Sequence, residues 1–187
     1  MKSGTFTYSR VSSMFLVPVG TIDSDIMLHI SDTVSEQFTC PVVPSESLPV
    51  PREAFDRTRR QYHSTRILNR LFETRPEECS HLLAVIDEDI FIPELNFVFG
   101  VADTIGDTAI ISLSRLRQEF YGLPPDRNLL KARAAKEAIH ETGHTCGLPH
   151  CEEPSCVMFF SSSLLDTDRK GPGFCEQCRS RLSPVFR

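Results

Sequence analysis

The twelve residues HETGHTCGLPHC, positions 140–151, hold three histidines, one glutamate and two cysteines. The whole chain has six His and seven Cys, so metal-prone side chains are concentrated here. His140 and His144 are four residues apart. On a helix, that spacing puts their side chains about 40° apart around the axis and about 6 Å apart along it. Two imidazoles so placed reach one metal ion. Glu141 lies about 60° around the axis from His144, flanking the pair without being forced to ligate. This is the H-E-x-x-H arrangement for zinc, with the glutamate as general base. Gly147 lets the chain turn back beyond the helix, so His150 can supply a third nitrogen. Three neutral histidines leave one position on zinc for water. Glu141 would take the proton of that water as it attacks a peptide carbonyl, then pass the proton to the leaving amine.

A second ligand set follows. Cys151 and Cys156 form a C-x-x-x-x-C pair, and CEQC supplies Cys175 and Cys178. Together they suit a tetrahedral four-thiolate zinc site. Residues 148–187 have little regular pattern, and such an ion would brace them. A thiol redox pair at Cys175 and Cys178 is the competing reading, weakened because no βαβ pattern surrounds the CxxC. Cys40 and Cys79 read as buried thiols. Cys146 lies at a spacing that does not match the ligands. His150 and Cys151 are neighbours assigned to different metals, so the cysteine site is expected to fix the backbone presenting His150.

The elements that must carry these residues are legible in part. DRNLLKARAAKEAIHETGHTCG reads as a helix, with Asp126 as cap and Gly147 just past the end. Its Ala134, Ala135, Ala138 and Gly143 allow close packing on a sheet. Upstream, Phe15–Val19 reads as a buried strand. Ile22, Ile26, Ile30, Val34 and Phe38 then form one helical stripe behind a Thr21 cap. Val42 and Val43 suggest a short strand, and PSESLPVPREAF a proline-rich loop. A second helix is expected over about Ser64–Thr74, with Ile67, Leu68, Leu71 and Phe72 inward. HLLAVIDEDIFI, LNFVFGVAD and TAIISLSRL read as strands, the last two joined as a hairpin by TIGD. The order predicts an α/β fold with a mixed, mostly parallel five-stranded sheet and one antiparallel member.

Composition sets the outer limits. The 187 residues suit one domain, 40% of them hydrophobic and 24% charged, with a formal net charge of −5. That balance argues against nucleic acid as partner. The basic run Arg57, Arg59, Arg60 reads as a solvated face. No segment is long and apolar enough to span a bilayer, so no membrane role is expected. The first twenty residues, MKSGTFTYSRVSSMFLVPVG, do not read as an export signal, which makes the cytoplasm the expected compartment. The acidic run Asp87, Glu88, Asp89 invites a role in binding a substrate's amino terminus, though such runs are more often solvated strand ends.

The long motif H-E-x-x-H-x-x-G-x-x-H has the metzincin spacing. Through His140, Glu141, His144, Gly147, His150, Cys151, Cys156, Met158, Cys175 and Cys178, the sequence resembles the archaemetzincins, zinc peptidases of the metzincin clan. Weaker similarity extends upstream through PELNFVFGVA and ISLSRL. The resemblance implies that Met158 is the Met-turn residue, a hydrophobic floor under the catalytic ion. It implies an antiparallel edge strand around Leu95–Val101, where Asn96, Phe97, Val98, Phe99 and Gly100 would receive a peptide as an added strand. It also implies a single metallopeptidase domain, with an upper subdomain over 1–147 and a lower one over 148–187. Sixteen residues separate Met158 from Cys175, where the family pattern has seventeen. A one-residue change in a tethered loop costs little. No Tyr follows Tyr121, so oxyanion stabilisation would fall mostly to the metal.

The expectation is therefore a zinc metallopeptidase holding two zinc ions and acting on peptide or protein substrates, with aminopeptidase-like cleavage as one form. Nothing in the sequence fixes an oligomeric state, and a monomer is the default. The alternative is a zinc-stabilised peptide-binding module whose three-histidine site is idle.

Overall fold

The computed structural model of the chain describes residues 13–76 and 79–182. The reading of residues 1–12 as lacking an export signal lies outside the described residues, as does the end of the 148–187 subdomain.

The centre of the molecule is a five-stranded sheet. Its strands are β1 (Met14–Val19), β2 (Val42–Pro44), β5 (His81–Ile86), β7 (Gly100–Asp103) and β8 (Thr108–Ser112), in the spatial order β2-β1-β5-β8-β7. Pairing is parallel throughout except at β7, which runs antiparallel to β8. Both faces are covered. Met14, Leu16, Leu83, Val85 and Ile111 meet α1 (Ser24–Phe38) and α3 (Arg127–Thr145). Val17, Val19, Leu82, Ala84, Ile86 and Ile110 meet α2 (Ser64–Thr74). Strand β5 is buried at every position, which is why HLLAVI reads as an unbroken apolar run rather than an alternation.

Several elements depart from the sequence reading. Asp23, not Thr21, caps α1, its carboxylate accepting from the Asp25 N–H at 2.9 Å. Arg127 pairs with both Asp23 and Asp25 and fixes the charged group there. Ile22 therefore packs on the core from just outside the helix. On α2, Ile67, Leu68 and Leu71 are buried as expected, but Phe72 is exposed and carries the Arg75 guanidinium over its ring.

The segment read as a proline-rich loop borders a second, three-stranded sheet of β3 (Phe55–Asp56), β4 (Gln61–His63) and β6 (Ile90–Phe91). HLLAVIDEDIFI is accordingly two strands, β5 and β6. Between them Asp89 forms a two-point ion pair with Arg115, and Asp87 forms one with Arg117. Strands of two and three residues are too short to leave an alternating pattern in the sequence.

The expected edge strand is also shifted. Only Gly100 of the Asn96–Gly100 set lies in β7; the strand runs on to Asp103. Asn96–Val98 is held away from the sheet by other partners. The Asn96 carbonyl accepts from Arg59 and Gln61, and the Val98 N–H donates to the Ile90 carbonyl. Arg59, read as part of a solvated basic run, thus holds this segment and stacks on Phe91. In the lower region, α4 (Leu164–Arg169) and α5 (Glu176–Leu182) are short helices where little regular structure was expected.

His81 at the start of β5 ties the sheet to the last turn of α3. Its Nδ1 lies 3.0 Å from Thr145 Oγ1, and that hydroxyl donates to the Thr142 carbonyl at 2.8 Å. The hydroxyl is thereby left to accept, so His81 carries its proton on Nδ1. Burial, helped by the nearby Arg75 charge, lowers the His81 pKa from 6.5 to about 4. Between those values the unfolded chain binds the proton that the fold refuses. Stability from this group is present above pH 6.5, falls as pH drops, and is gone below about 4. From pH 7 to pH 5 the loss is about 2 kcal/mol. Urea unfolding of the His81→Gln protein should show a pH 7-to-5 loss smaller than the wild type's by about that amount. Identical losses in the two proteins would rule out a buried neutral His81.

Candidate metal centre

Helix α3 begins at Asp126, whose side chain accepts from the Leu129 N–H at 2.9 Å, and it runs for 19 residues. Both its cap and its C-terminal glycine are where the sequence put them; Gly147 has φ +84°. The bend returns the chain so that the His150 ring stacks on His140, centroids 5.3 Å apart, and meets His144 at 4.8 Å. The His140 and His144 rings are 4.6 Å apart, with their Nε2 atoms at 3.1 Å. One ring nitrogen from each of the three histidines lies within 4.8 Å of the others.

The hydrogen bonds of the first two rings decide what those nitrogens can do. His140 Nδ1 is 2.8 Å from the Val157 carbonyl oxygen, and His144 Nδ1 is 2.7 Å from that of Leu148. A carbonyl only accepts, so each Nδ1 carries a proton and each Nε2 presents a bare lone pair. Two bare lone pairs facing each other at 3.1 Å repel unless a cation lies between them. Zinc–nitrogen bonds of about 2.0–2.1 Å at the tetrahedral angle would set the nitrogens about 3.3 Å apart. The donor set therefore fits zinc. Burial lowers the affinity of all three imidazoles for a proton, and the Lys170 charge reinforces it, which favours the neutral, ligating form.

Glu141 is buried at the same level. Burial, with the Glu137 charge adding and Lys170 opposing, pushes its carboxyl up to about 8. Its stem rests on the backbone of β7. A Cβ on Gly100 would come within 2.5 Å of Glu141 Cγ, so only glycine fits there. On the same helix Gly143 serves Met158: a Cβ there would lie 2.5 Å from the Met158 sulfur. Met158 is fully buried against α3, near the histidines.

These groups line a cleft of about 650 Å³. One wall is Asn96–Ala102 and another is Phe160–Ser162, with His140, Glu141, His144 and His150 between. The segment expected to receive a peptide thus does face the cleft, although most of it is not strand. Asp87, Glu88 and Asp89 are absent from the lining, and two of the three are consumed by arginines. Glu137, which the sequence reading passed over, is present. Its Oε1 is 2.9 Å from Lys170 Nζ and accepts from the Thr167 hydroxyl at 3.2 Å. Alongside, Arg133 pairs with Asp168 and Lys136 donates to the Thr167 and Asp168 carbonyls, so α4 is clamped to α3. The available signal was a set of charged residues, at positions 133, 136 and 137, on the helix face that also carries His140.

The four cysteines form the second group. Cys151, Cys156, Cys175 and Cys178 offer sulfur atoms within 4.8 Å of one another, and Cys151 and Cys175 are 3.8 Å apart. Tetrahedral zinc with bonds of about 2.3 Å would space its sulfurs by about 3.8 Å. Backbone N–H groups point at this cluster: Cys175 N–H at Cys156 Sγ, 3.3 Å, and Glu153 N–H at Cys151 Sγ, 3.5 Å. The Cys178 N–H brings the Cys175 thiol down to about 7, while burial raises Cys156 and Cys178. As thiolates, four sulfurs this close would share one cation. Cys40, Cys79 and Cys146 are all buried and stand outside the cluster; burial pushes Cys146 up to about 12.

The two groups share one strip of backbone. The Cys151 N–H donates to the Met158 carbonyl, and Val157, which holds His140, follows Cys156 directly.

Comparison with known proteins gives a consistent result. The model of the family described as Peptidase family M54 matches residues 21–184. The archaemetzincin of Methanocaldococcus jannaschii is 44% identical over 166 residues, covering 88% of this chain and 89% of its own. That of Pyrococcus abyssi is 42% identical over 175 residues, covering 90% and 93%. Among solved structures, a zinc-dependent peptidase from Methanocorpusculum labreanum superposes with a TM-score of 0.84 at 31% identity, over 90% of this chain and 99% of that one. The archaemetzincin of Methanopyrus kandleri gives 0.82 at 36% identity, over 93% and 94%.

The Gly143–Met158 contact makes a test of the packing. Gly143→Ala should lower stability by about 1–3 kcal/mol through overpacking. In a Met158→Ala background the same change should cost much less, because the contact is gone. Strict additivity in thermal or urea unfolding would show that the two residues do not press on each other.

Proposed function

The chain belongs to Peptidase family M54, the archaemetzincins, and on that footing we propose that it hydrolyses peptide bonds in the cleft over α3, with Glu141 moving the proton. A zinc metallopeptidase of this family acts on peptide or protein chains. His140 and His144 would hold the ion through Nε2, and His150 through a ring nitrogen. Zinc, when bound, supplies the Lewis acid that polarises a carbonyl and makes a water molecule more acidic. The observation that carries this reading is the pair of Nδ1–H···O=C bonds, which leaves bare Nε2 atoms converging beside a buried carboxylate.

The chain's own groups do the rest. Glu141, held against Gly100, accepts a proton from the attacking water and returns it to the leaving nitrogen. The wall strand orients the substrate. The Phe99 carbonyl accepts from Ser112 N–H, so by the two-residue period Val101 and Asp103 also turn their backbone groups toward β8. Gly100 and Ala102 then present an N–H and a C=O outward, where an extended peptide can pair. The receiving positions lie further along the chain than the Asn96–Phe99 stretch; those residues contribute side-chain wall. An amino-terminal clamp at Asp87–Asp89 has no support, since none of the three lines the cleft and Arg117 and Arg115 occupy the Asp87 and Asp89 carboxylates.

Cys151, Cys156, Cys175 and Cys178 would hold a second, structural zinc. It would fold the Cys151–Phe159 turn and so fix the carbonyl of Val157 behind His140.

Three measurements test this. Glu141→Gln should lower kcat/KM on peptides by about 10²–10⁴-fold while zinc content stays constant; undiminished turnover would remove Glu141 from the reaction. Metal analysis should find one ion per ligand group, about two zinc per chain, falling to about one in His144→Ala. Cys156→Ser should lower zinc at the histidine site as well, and full occupancy there would show that the two centres are independent.

A further inference from the structure

The cleft is mostly apolar, and its charged lining is one-sided. Besides the histidines, the ionisable side chains facing it are Glu141 and Glu137; among the described residues no lysine or arginine lines it. Glu137 lies three residues before His140, about 4.5 Å back along the α3 axis, on the same side. It is therefore placed to meet a substrate residue close to the bond being cut.

Glu137 is not a solvated charge. Its side chain is nearly fully buried, and one oxygen is committed to Lys170 and Thr167. Lys170 is completely buried and does not line the cleft. Of the pair, Glu137 lines the cleft and Lys170 does not, so a ligand there meets the acidic partner rather than the ammonium. Around it stand Phe97, Val98, Phe99 and Val101. A long aliphatic stem ending in a cation matches that combination of apolar wall and recessed acceptor. A carboxylate-bearing side chain would leave its own charge desolvated against another carboxylate.

We propose that Glu137, backed by the buried Lys170, is the specificity-determining carboxylate of the cleft and selects peptides with Lys or Arg beside the scissile bond. This rests on the reading of the cleft as a peptide-hydrolysing site. Lys170 acts through Glu137 as a positioning residue: its ammonium, 2.9 Å from Oε1, holds that oxygen in place.

The test uses zinc-loaded full-length protein and matched acetylated peptides that differ only in Lys, Leu or Glu on either side of the cleaved bond. At one position Lys should exceed Glu in kcat/KM by about tenfold or more. Glu137→Gln should collapse that ratio toward one. The double variant Glu137→Gln/Lys170→Met removes both charges, avoids an unpaired buried ammonium, and should collapse the ratio likewise. Calorimetric binding of dipeptide hydroxamates with Lys-type or Glu-type side chains reads the same preference without turnover. Tighter binding of the Lys-type ligand, lost in both variants, supports Glu137 even if no peptide is cut. That last result would count against the proposed hydrolytic function alone. Hydrolysis with no Lys-over-Glu preference, or with a preference unchanged in both variants, overturns the assignment. So does a preference that follows a free amino terminus rather than the side chain.

Discussion

The hydrogen bond from His140 Nδ1–H to the carbonyl of Val157 is the constraint on which the rest depends. It sets the tautomer of the first histidine and joins the active helix to the turn beneath it. That turn is held by the Cys151 N–H to Met158 carbonyl bond and by Cys156 in the thiol cluster. A shift in Val157 would rotate the imidazole and change which nitrogen is bare. Second-sphere groups of this kind govern a metal centre nearly as strongly as the ligands do. Here the group behind the ring is main chain, so a point substitution cannot delete it, and its position is set by the fold of the Cys151–Phe159 segment.

The parts legible in the sequence are those with a strong local signature. Asp126 and Gly147 bound the active helix because capping and a positive φ have narrow residue preferences. The histidine spacing converges because four residues return a helix to nearly the same face. Buried strands such as HLLAVI declare themselves by unbroken apolar runs, and the topology rules for parallel sheets supplied most of the order.

What was not legible depends on contacts between distant segments. The small sheet exists because Gln61 and Arg59 meet Asp89 and the backbone at Leu95 and Asn96, pairs some 30 residues apart. Those bonds hold Asn96–Val98 off the main sheet, and the edge strand is Gly100–Asp103. The α3–α4 clamp is of the same type. Arg133, Lys136 and Glu137 look like an ordinary polar helix face until Asp168 and Lys170 are brought against them. The surplus of charge on a helix that is otherwise alanine-rich was the one available hint.

Among the described residues, strand β7 leaves the outward backbone groups of Gly100 and Ala102 without a strand partner, which creates a hazard of self-association. Its length limits that hazard. Four residues lie below the six or seven from which stacked fibrillar segments are built. The bend at Phe99 and the turn after Asp103 stop another copy from extending the pairing. A short edge thus offers few backbone groups to any second strand.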